Sequence, residues 1–578
     1  MTECKISKMF SSKVILGLGI IISVILGVTP AIMVIVQGNL IDYALNRDVG
    51  VYKMIIAMIF VTLTGVGGNY ILFYLVEKQS IIDGYKKDET RIEHCNQIVF
   101  KDLESPEFYK LSSSATEVAS ALKELNLTIN SLFKNVVQLI APLVIVLKVD
   151  YKICIGIVTF LILSYMVSHI FLKNTGDIWN YYRENIRKSN YFSSLLINRE
   201  FAAERKLWGY RKNIEEKFNK EFSHATTVNK TLGRRRFKSE GIIHFTQAVY
   251  AVATIILLLQ ALLKNKISLG YFTSIFYTAN TLLTNINLIV AGIYDIKVNK
   301  NKVLPYYKLL AMPTDDTEDV PVFQVPLQYK IEFCNVSFSY PGSERKILEN
   351  ISFVMKSGIH YALVGENGSG KSTIVKLMLG LYEPTSGSIL LNGVPLKNYS
   401  RNLLNQVFSP VFQDYYKYPI SVRENILLGS HTADISDEKI ISILKDLSMN
   451  DLVEKLKNGL DTVLTPLNEE SANLSGGEWQ KLAIARCIAS DAGIAVLDEP
   501  NAALDPIVER TIYNAYREML KEKTTLFISH RLGAVRVSDK IIVIKDGCVV
   551  GNDSHDKLIK ECEYYAKLYN TQKGLYDE

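Results

Sequence analysis

Gly365-Glu366-Asn367-Gly368-Ser369-Gly370-Lys371-Ser372 fits the pattern G-x-x-x-x-G-K-[ST], and its neighbours supply the context that this pattern requires. The run before it, His360-Tyr361-Ala362-Leu363-Val364, reads as a buried strand. The run after it, Thr373-Ile374-Val375-Lys376-Leu377-Met378, reads as a helix. Glycines let a backbone wrap closely round a phosphate chain, and a helix start points its free N–H groups at negative charge. The expected cradle runs from Gly365 through Thr373. Lys371 is expected to reach β- and γ-phosphates, and the Ser372 hydroxyl to ligate Mg²⁺.

Downstream, Gly493-Ile494-Ala495-Val496-Leu497-Asp498-Glu499 reads as a second buried strand, ending in two carboxylates. Side chains at the C-terminal end of a parallel strand face the ligand crevice. Asp498 suits Mg²⁺, held through water, and Glu499 stands where it would polarise or deprotonate an attacking water. Between the two strands lies Leu474-Ser475-Gly476-Gly477-Glu478-Trp479-Gln480, a second glycine-rich helix start.

The chain as a whole is too long for one core: 578 residues imply two or more domains. Its first half is much more apolar than its second. The formal net charge of +6 is modest for this length and gives no argument for nucleic acid. Basic cytoplasmic loops of a membrane protein explain it as well. The seven cysteines, Cys4, Cys95, Cys154, Cys334, Cys487, Cys548 and Cys562, are scattered and lack C-x-x-C spacing. That pattern predicts neither a disulfide framework nor a zinc site.

Apolar runs fall at 14–36, 54–76, 132–147, 153–172, 242–263 and 267–293, which predicts about six transmembrane helices. The third run is short and carries Lys134 near one end. The first follows Lys5, Lys8 and Lys13, as a signal peptide would, but it is long enough to span a bilayer and no small-residue cleavage site follows. The connections after the second and fourth runs are long and basic, and the positive-inside rule predicts that they, the N-terminus and the second half are cytoplasmic. Arg234-Arg235-Arg236-Phe237-Lys238, before the fifth run, reads as a juxtamembrane anchor rather than a nucleic-acid site. His169 is a single ionisable group near the cytoplasmic end of its run, from which it can reach polar surroundings. The last run is unusually polar, with Thr273, Ser274, Thr278, Asn280, Thr281, Thr284, Asn285 and Asn287. Such groups are expected to face other helices or a wet cavity, so this helix is the candidate lining of a transport path, with helix–helix hydrogen bonding as the plainer alternative. The expected division is a transmembrane domain over 1–310, a linker over 311–328 and a nucleotide-binding domain over 329–578. The fold class is an all-α membrane domain followed by an α/β phosphate-loop domain.

With the Ser475 motif in hand, the chain resembles an ATP-binding cassette (ABC) transporter over its whole length. It looks like a bacterial half-transporter of the exporter type. The resemblance implies further residues. Tyr340, in Phe338-Ser339-Tyr340-Pro341-Gly342, is similar to the aromatic that stacks on adenine. Gln413, in Val411-Phe412-Gln413-Asp414, is similar to the glutamine that senses Mg²⁺ and the membrane domain. Asp505, in Ala503-Leu504-Asp505, is similar to the loop that signals across the dimer, and His530 to the switch histidine on the γ-phosphate. Ser475, Gly476 and Gly477 would close on nucleotide held by a partner cassette, so the resemblance implies a dimer. A homodimer is simplest, with a heterodimer as the alternative. Glu478, Trp479 and Asn501-Ala502 depart from the commonest family residues. Ser105-Pro106-Glu107-Phe108-Tyr109 and the segment 199–209 resemble coupling helices that dock on cassettes.

These features together imply an ATP-driven transporter that uses ATP and Mg²⁺, lies in membrane lipid and works by alternating access. The segment from Phe412 to Ile426 looks similar to bacterial exporters of modified peptides such as lantibiotics. No peptidase domain precedes the membrane part, so leader cleavage would need another protein. A lipid or multidrug exporter is the alternative, and a siderophore-type importer a third. A soluble repair-type ATPase is disfavoured by the apolar runs, and a pure nucleotide sensor by the intact Glu499.

Overall fold

The computed structural model describes residues 12–147, 151–172, 175–315, 328–430, 435–464, 471–499, 516–518, 520–528 and 538–574. The chain divides into two compact units. One comprises Met1–Asn96 and Pro106–Met312, the other Gln97–Ser105 and Pro313–Glu578.

The first unit is helical. Its elements in chain order are α1 (Ser12–Leu45), α2 (Gly50–Gln97), α4 (Pro106–Ala115), α5 (Val118–Leu147), α6 (Tyr151–Leu172), α7 (Thr175–Ile197), α8 (Ala202–Trp208), α9 (Arg211–Leu263) and α10 (Leu269–Leu310). The short α3 (Phe100–Leu103) belongs to the second unit. Five described helices are long and apolar enough to cross a membrane: Gly17–Leu45, Gly50–Gln97, Val118–Val144, Arg211–Leu263 and Leu269–Leu310. The remaining expected span falls on α6, which holds a shorter apolar stretch, Cys154–Val167. The apolar runs in the sequence are parts of much longer helices. α2 has 48 residues and α9 has 53. At 1.5 Å per residue these are about 72 and 80 Å long, against a hydrocarbon core of about 30 Å. The run Arg234–Lys238 therefore lies inside one continuous helix rather than before one, and Arg236 pairs with Glu240 one turn on at 3.1 Å.

Small residues let these helices approach closely. A Cβ on Gly27 of α1 would lie 2.4 Å from Val137 of α5, and one on Gly270 of α10 would lie 2.1 Å from the Gly38 carbonyl of α1. The Asp42 carboxylate at the end of α1 accepts from the Gly270 N–H at 2.9 Å and from the Ser268 hydroxyl. Buried Ile275, Leu282, Leu283 and Ile286 of α10 pack with Val146, Phe160 and Leu258.

Ser274 and Thr278 of α10 are buried within the unit, as the expectation of facing other helices requires, while several threonine hydroxyls bond within the helix itself. Thr278 donates to the Ser274 carbonyl at 2.7 Å, Thr281 to Thr278 at 2.8 Å and Thr284 to Asn280 at 3.2 Å. A hydroxyl that bonds back three or four residues needs neither a neighbouring helix nor water. The buried Ser274 Oγ and Asn287 Oδ1 have no partner among the described residues. His169 stands in the last turn of α6, exposed, with Tyr165 one turn before it at 6.1 Å between rings.

The second unit holds two sheets. A four-stranded antiparallel sheet has the order β2-β1-β4-β5, formed by β1 (Lys330–Phe338), β2 (Leu348–Lys356), β4 (Ser386–Leu391) and β5 (Val394–Pro395). The six-stranded sheet has the order β10-β9-β3-β8-β7-β6. Its strands are β3 (His360–Val364), β6 (Phe408–Val411), β7 (Ile494–Asp498), β8 (Thr524–Ile528), β9 (Lys540–Lys545) and β10 (Cys548–Asp553), all parallel where they pair except β10. Strands β3, β7 and β8 are buried at every position, as a parallel sheet covered on both faces requires. The C-terminal ends of β3, β8 and β7 therefore lie side by side, and the phosphate-loop pattern and the paired carboxylates follow two of them.

Candidate nucleotide-binding site

After β3 the chain turns tightly into helix α11 (Lys371–Met378). Two glycines make the turn possible: Gly368 has φ +79° and Gly370, the N-cap of α11, has φ +103°. At Gly365 the restriction is space, since a Cβ there would lie 2.3 Å from the Ile544 carbonyl oxygen. The loop wraps the Lys371 ammonium, which donates to the carbonyls of Gly365 at 2.8 Å and Glu366 at 2.9 Å. Burial pulls the Lys371 pKa down, and the charges of Glu499 and Asp498 oppose that shift. The Ser369 hydroxyl is buried with no hydrogen-bond partner among the described residues.

The loop forms one wall of a pocket of about 540 Å³ that also takes in Tyr340, Arg345, Ser372, Thr373, Gln413, Asp498 and Glu499. The Tyr340 hydroxyl and the Thr373 Oγ1 lie 3.1 Å apart. Asp498 is buried, and its carboxyl is pushed up to about 6, first by burial and then by the Glu499 charge, with Lys371 pulling the other way. Glu499 has φ +46°, a left-handed backbone unusual for a non-glycine residue, and its N–H donates to the Ile528 carbonyl at 3.0 Å. Its side chain accepts from Gln413 Nε2 at 3.1 Å.

This lining fits a magnesium-bound triphosphate. The orphaned Ser369 hydroxyl sits in a loop at a helix N-terminus, where phosphate oxygens would satisfy it. Ser372, Gln413 and Asp498 present a hydroxyl, an amide and a carboxylate, the hard oxygen donors that Mg²⁺ takes alongside water and phosphate. Arg345 was not singled out from the sequence; the signal was a basic residue shortly after the Tyr340 turn. Asp505 and His530 lie outside the described residues.

Ser475 and its neighbours are not among the residues lining that pocket. Ser475 is the N-cap of helix α12 (Gly476–Ala489), with a complete capping box. The Ser475 N–H and hydroxyl both donate to the Glu478 carboxylate at 2.7 Å, and the Glu478 N–H donates to Ser475 Oγ at 3.3 Å. The departure at position 478 thus gives α12 a charged start. Trp479 is buried in the core beneath it.

A second pocket, of about 490 Å³, shares Ser372, Gln413 and Asp498 with the first and is bounded by Phe100. Phe100 belongs to Gln97–Ser105, the piece of the first long connection that folds with the second unit. Its ring meets Tyr382 edge-on at 5.7 Å. Glu104 accepts from Lys376 of α11 at 2.9 Å and from the Tyr382 hydroxyl. Burial raises the Glu104 pKa, but those two hydrogen bonds outweigh it and leave the carboxyl below its ordinary value. These contacts come from residues just before the stretch 105–109 singled out from the sequence, of which Ser105 belongs to this unit and Pro106 opens a helix of the other. In the segment 199–209, Leu207 and Trp208 are exposed at 82% and 78%.

The sequence profile described as ABC transporter matches residues 348–502. The subtilin transport ATP-binding protein of Bacillus subtilis is 28% identical over 568 residues, which cover 96% of this chain and 91% of that protein. The nisin transport ATP-binding protein of Lactococcus lactis subsp. lactis is 30% identical over 428 residues, 72% of this chain and 71% of its own length. An ATP-dependent lipid A-core flippase of Vibrio vulnificus is 32% identical over 332 residues, 57% of this chain and 56% of the flippase.

Proposed function

Because this chain belongs to the ABC transporter family and hydrolyses ATP to drive transport, we propose that it exports a modified peptide across the cytoplasmic membrane, working as a homodimer. Residues 1–310 form the transmembrane domain, 311–328 the linker and 329–578 the cytoplasmic nucleotide-binding domain. The observation that carries the coupling is the shared lining of the two pockets. Ser372, Gln413 and Asp498 border both the phosphate loop and the pocket bounded by Phe100. A change around the phosphates is thereby transmitted to a segment of the membrane domain's own connection.

The pocket lining supports the roles of the phosphate loop, Tyr340, Gln413, Asp498 and Glu499, and the family motifs support the rest. Gly365 through Thr373 cradle the phosphates, and Lys371 exchanges its loop carbonyls for phosphate oxygens. Tyr340 stacks on the base. Ser372, Gln413 and Asp498 hold Mg²⁺, which when bound neutralises phosphate charge. Glu499 orients and deprotonates the attacking water, and Gln413 holds its carboxylate in place. Ser475, Gly476 and Gly477 close on the nucleotide of the second subunit, Asp505 relays between subunits, and His530 contacts the γ-phosphate.

The peptide assignment is supported by likeness to the subtilin and nisin transport proteins, the first over nearly the whole chain. Lipid export is the second reading, favoured by likeness to the lipid A-core flippase. The test is ATPase stimulation in liposomes by lantibiotic peptides, lipids and drugs, followed by vesicle uptake of any hit. Peptide stimulation with uptake is expected; a response to lipid alone would overturn the peptide assignment. Glu499→Gln is expected to abolish steady-state turnover while ATP still binds, and unchanged turnover would remove Glu499 as the base.

A further inference from the structure

Lys134 is the only charged residue between Leu125 and Leu147 of α5. Its depth can be read from two neighbours. Lys123 of α5 pairs with Glu77 of α2 at 2.6 Å, which fixes one level on both helices. Lys134 stands three turns beyond Lys123, about 16 Å at 1.5 Å per residue. On its other side, the carbonyl of Lys134 lies 3.3 Å from where a Gly27 Cβ would be, and Gln138 donates to Leu26 at 3.4 Å. Leu26 and Gly27 are near the middle of the first apolar run. Lys134 therefore sits near mid-depth of a core about 30 Å thick.

An ammonium at that depth is costly and is kept there only with a polar partner or a functional role. The side chain is too short to reach either interface from there. Its hydrogen bond goes sideways, to Asn69 Oδ1 of α2 at 3.2 Å. The Asn69 amide is itself held, donating to the Gly65 carbonyl at 2.7 Å. Among the described residues no carboxylate pairs with Lys134. Glu77 is engaged by Lys123, and Asp42 by Ser268 and Gly270. The apolar stretch of α2 is almost uncovered by the rest of its unit. A face carrying an unbalanced cation is not suited to lipid, so it belongs against water or solute.

We infer that the Lys134 ammonium, oriented by Asn69, is a subsite that recognises a carboxylate of the transported peptide. This rests on the peptide-export reading. One ammonium has three N–H donors and one is spent on Asn69, which leaves two for the two oxygens of a carboxylate. A single charge balances a monoanionic carboxylate. A phosphate monoester carries close to two charges and would call for a second cation beside the first.

The test uses the full-length protein in liposomes with nisin and subtilin, each as the free acid and as the C-terminal amide. In wild type the amides need about tenfold more peptide for half-maximal ATPase stimulation, the worth of a hydrogen bond to a charged group. In Lys134→Gln the free acid weakens to the level of the amide, and in Lys134→Arg the difference between acid and amide persists. Equal potency of acid and amide in wild type would overturn the subsite while leaving peptide export intact. Discrimination that survives in Lys134→Gln would overturn it equally. Stimulation by neither form of either peptide would overturn the export reading, and the subsite with it.

Discussion

Replacing Asp498 with asparagine is expected to stabilise the cassette while removing its response to magnesium-bound ATP. The carboxyl is buried at the end of β7 beside Glu499, which lifts it from an ordinary value of 3.8 to about 6. Below pH 3.8 folded and unfolded chains both hold the proton. Between 3.8 and 6 only the folded chain holds it, so stability falls as pH rises through that window. Above it the penalty is complete, about 3 kcal/mol at pH 7.5, and at pH 5 about half of that. An amide carries no charge but still buries polar atoms, so about 1–2 kcal/mol should be recovered at pH 7.5. That corresponds to a rise in Tm of roughly 2–8 °C for a domain of this size.

The assay is thermal unfolding of the full-length protein, followed by Trp479 fluorescence in a background where Trp179 and Trp208 are phenylalanine. Trp479 is buried in the cassette core, so it reports on that domain. Without added nucleotide, Asp498→Asn should melt higher than wild type at pH 7.5, and at pH 5 the gain should shrink by about 1.4 kcal/mol, to near zero. Adding Mg²⁺ and ATP should raise the wild-type Tm and leave the variant nearly unmoved. A gain of equal size at both pH values would refute the electrostatic account, because nothing but charge distinguishes the two conditions. A full Mg²⁺–ATP response in the variant would refute the assignment of Asp498 as a metal-holding group.

Glu104→Ala removes the acceptor shared by Lys376 and Tyr382, at a cost of about 1–2 kcal/mol. Basal ATPase should stay within about twofold of wild type while stimulation by the transported substrate is lost, and full stimulation would show that this contact does not couple. Glu478→Gln keeps a capping acceptor but removes a negative charge from the helix start proposed to meet the partner's nucleotide; on that proposal the KM for ATP should fall by about two- to fivefold, the scale of one screened charge pair. An unchanged KM, measured at low salt, would separate Glu478 from nucleotide closure.

The chemistry that depends on consecutive residues was legible in the sequence. His360–Val364 is a strand over the expected residues because an unbroken apolar run bounded by glycine has few alternatives in an α/β domain. The loop after it needs glycine at 365, 368 and 370 for reasons of space and backbone angle, and those reasons are local. Contacts that depend on which surfaces meet were not legible. Phe100 and Glu104 dock on the cassette by matching Tyr382 and Lys376, and no periodicity in 97–105 announces that. The apolar runs likewise reported only the membrane-soluble part of α2 and α9. The polarity of α10 foretold that Ser274 and Thr278 face the interior, but not that threonine hydroxyls bond within their own helix.

Gln413 and Glu499 show where such a limit lies. They are far apart in the chain, and nothing in either motif states that they touch. The pairing of β6 with β7 supplies the missing information: it is parallel, with Val411 opposite Leu497. That register brings the two strand ends side by side, and just past them Gln413 and Glu499 meet in the observed 3.1 Å hydrogen bond. A slip of one residue would turn the side chains of β6 to the other face of the sheet. Val411 and Phe408 are both buried, so such a slip would move apolar groups out of the cores on the two sides of this strand. The packing of β6 thus fixes which amide faces the candidate base, and Phe408 and Val411, which hold that alignment, are not among the residues lining the phosphate-loop pocket.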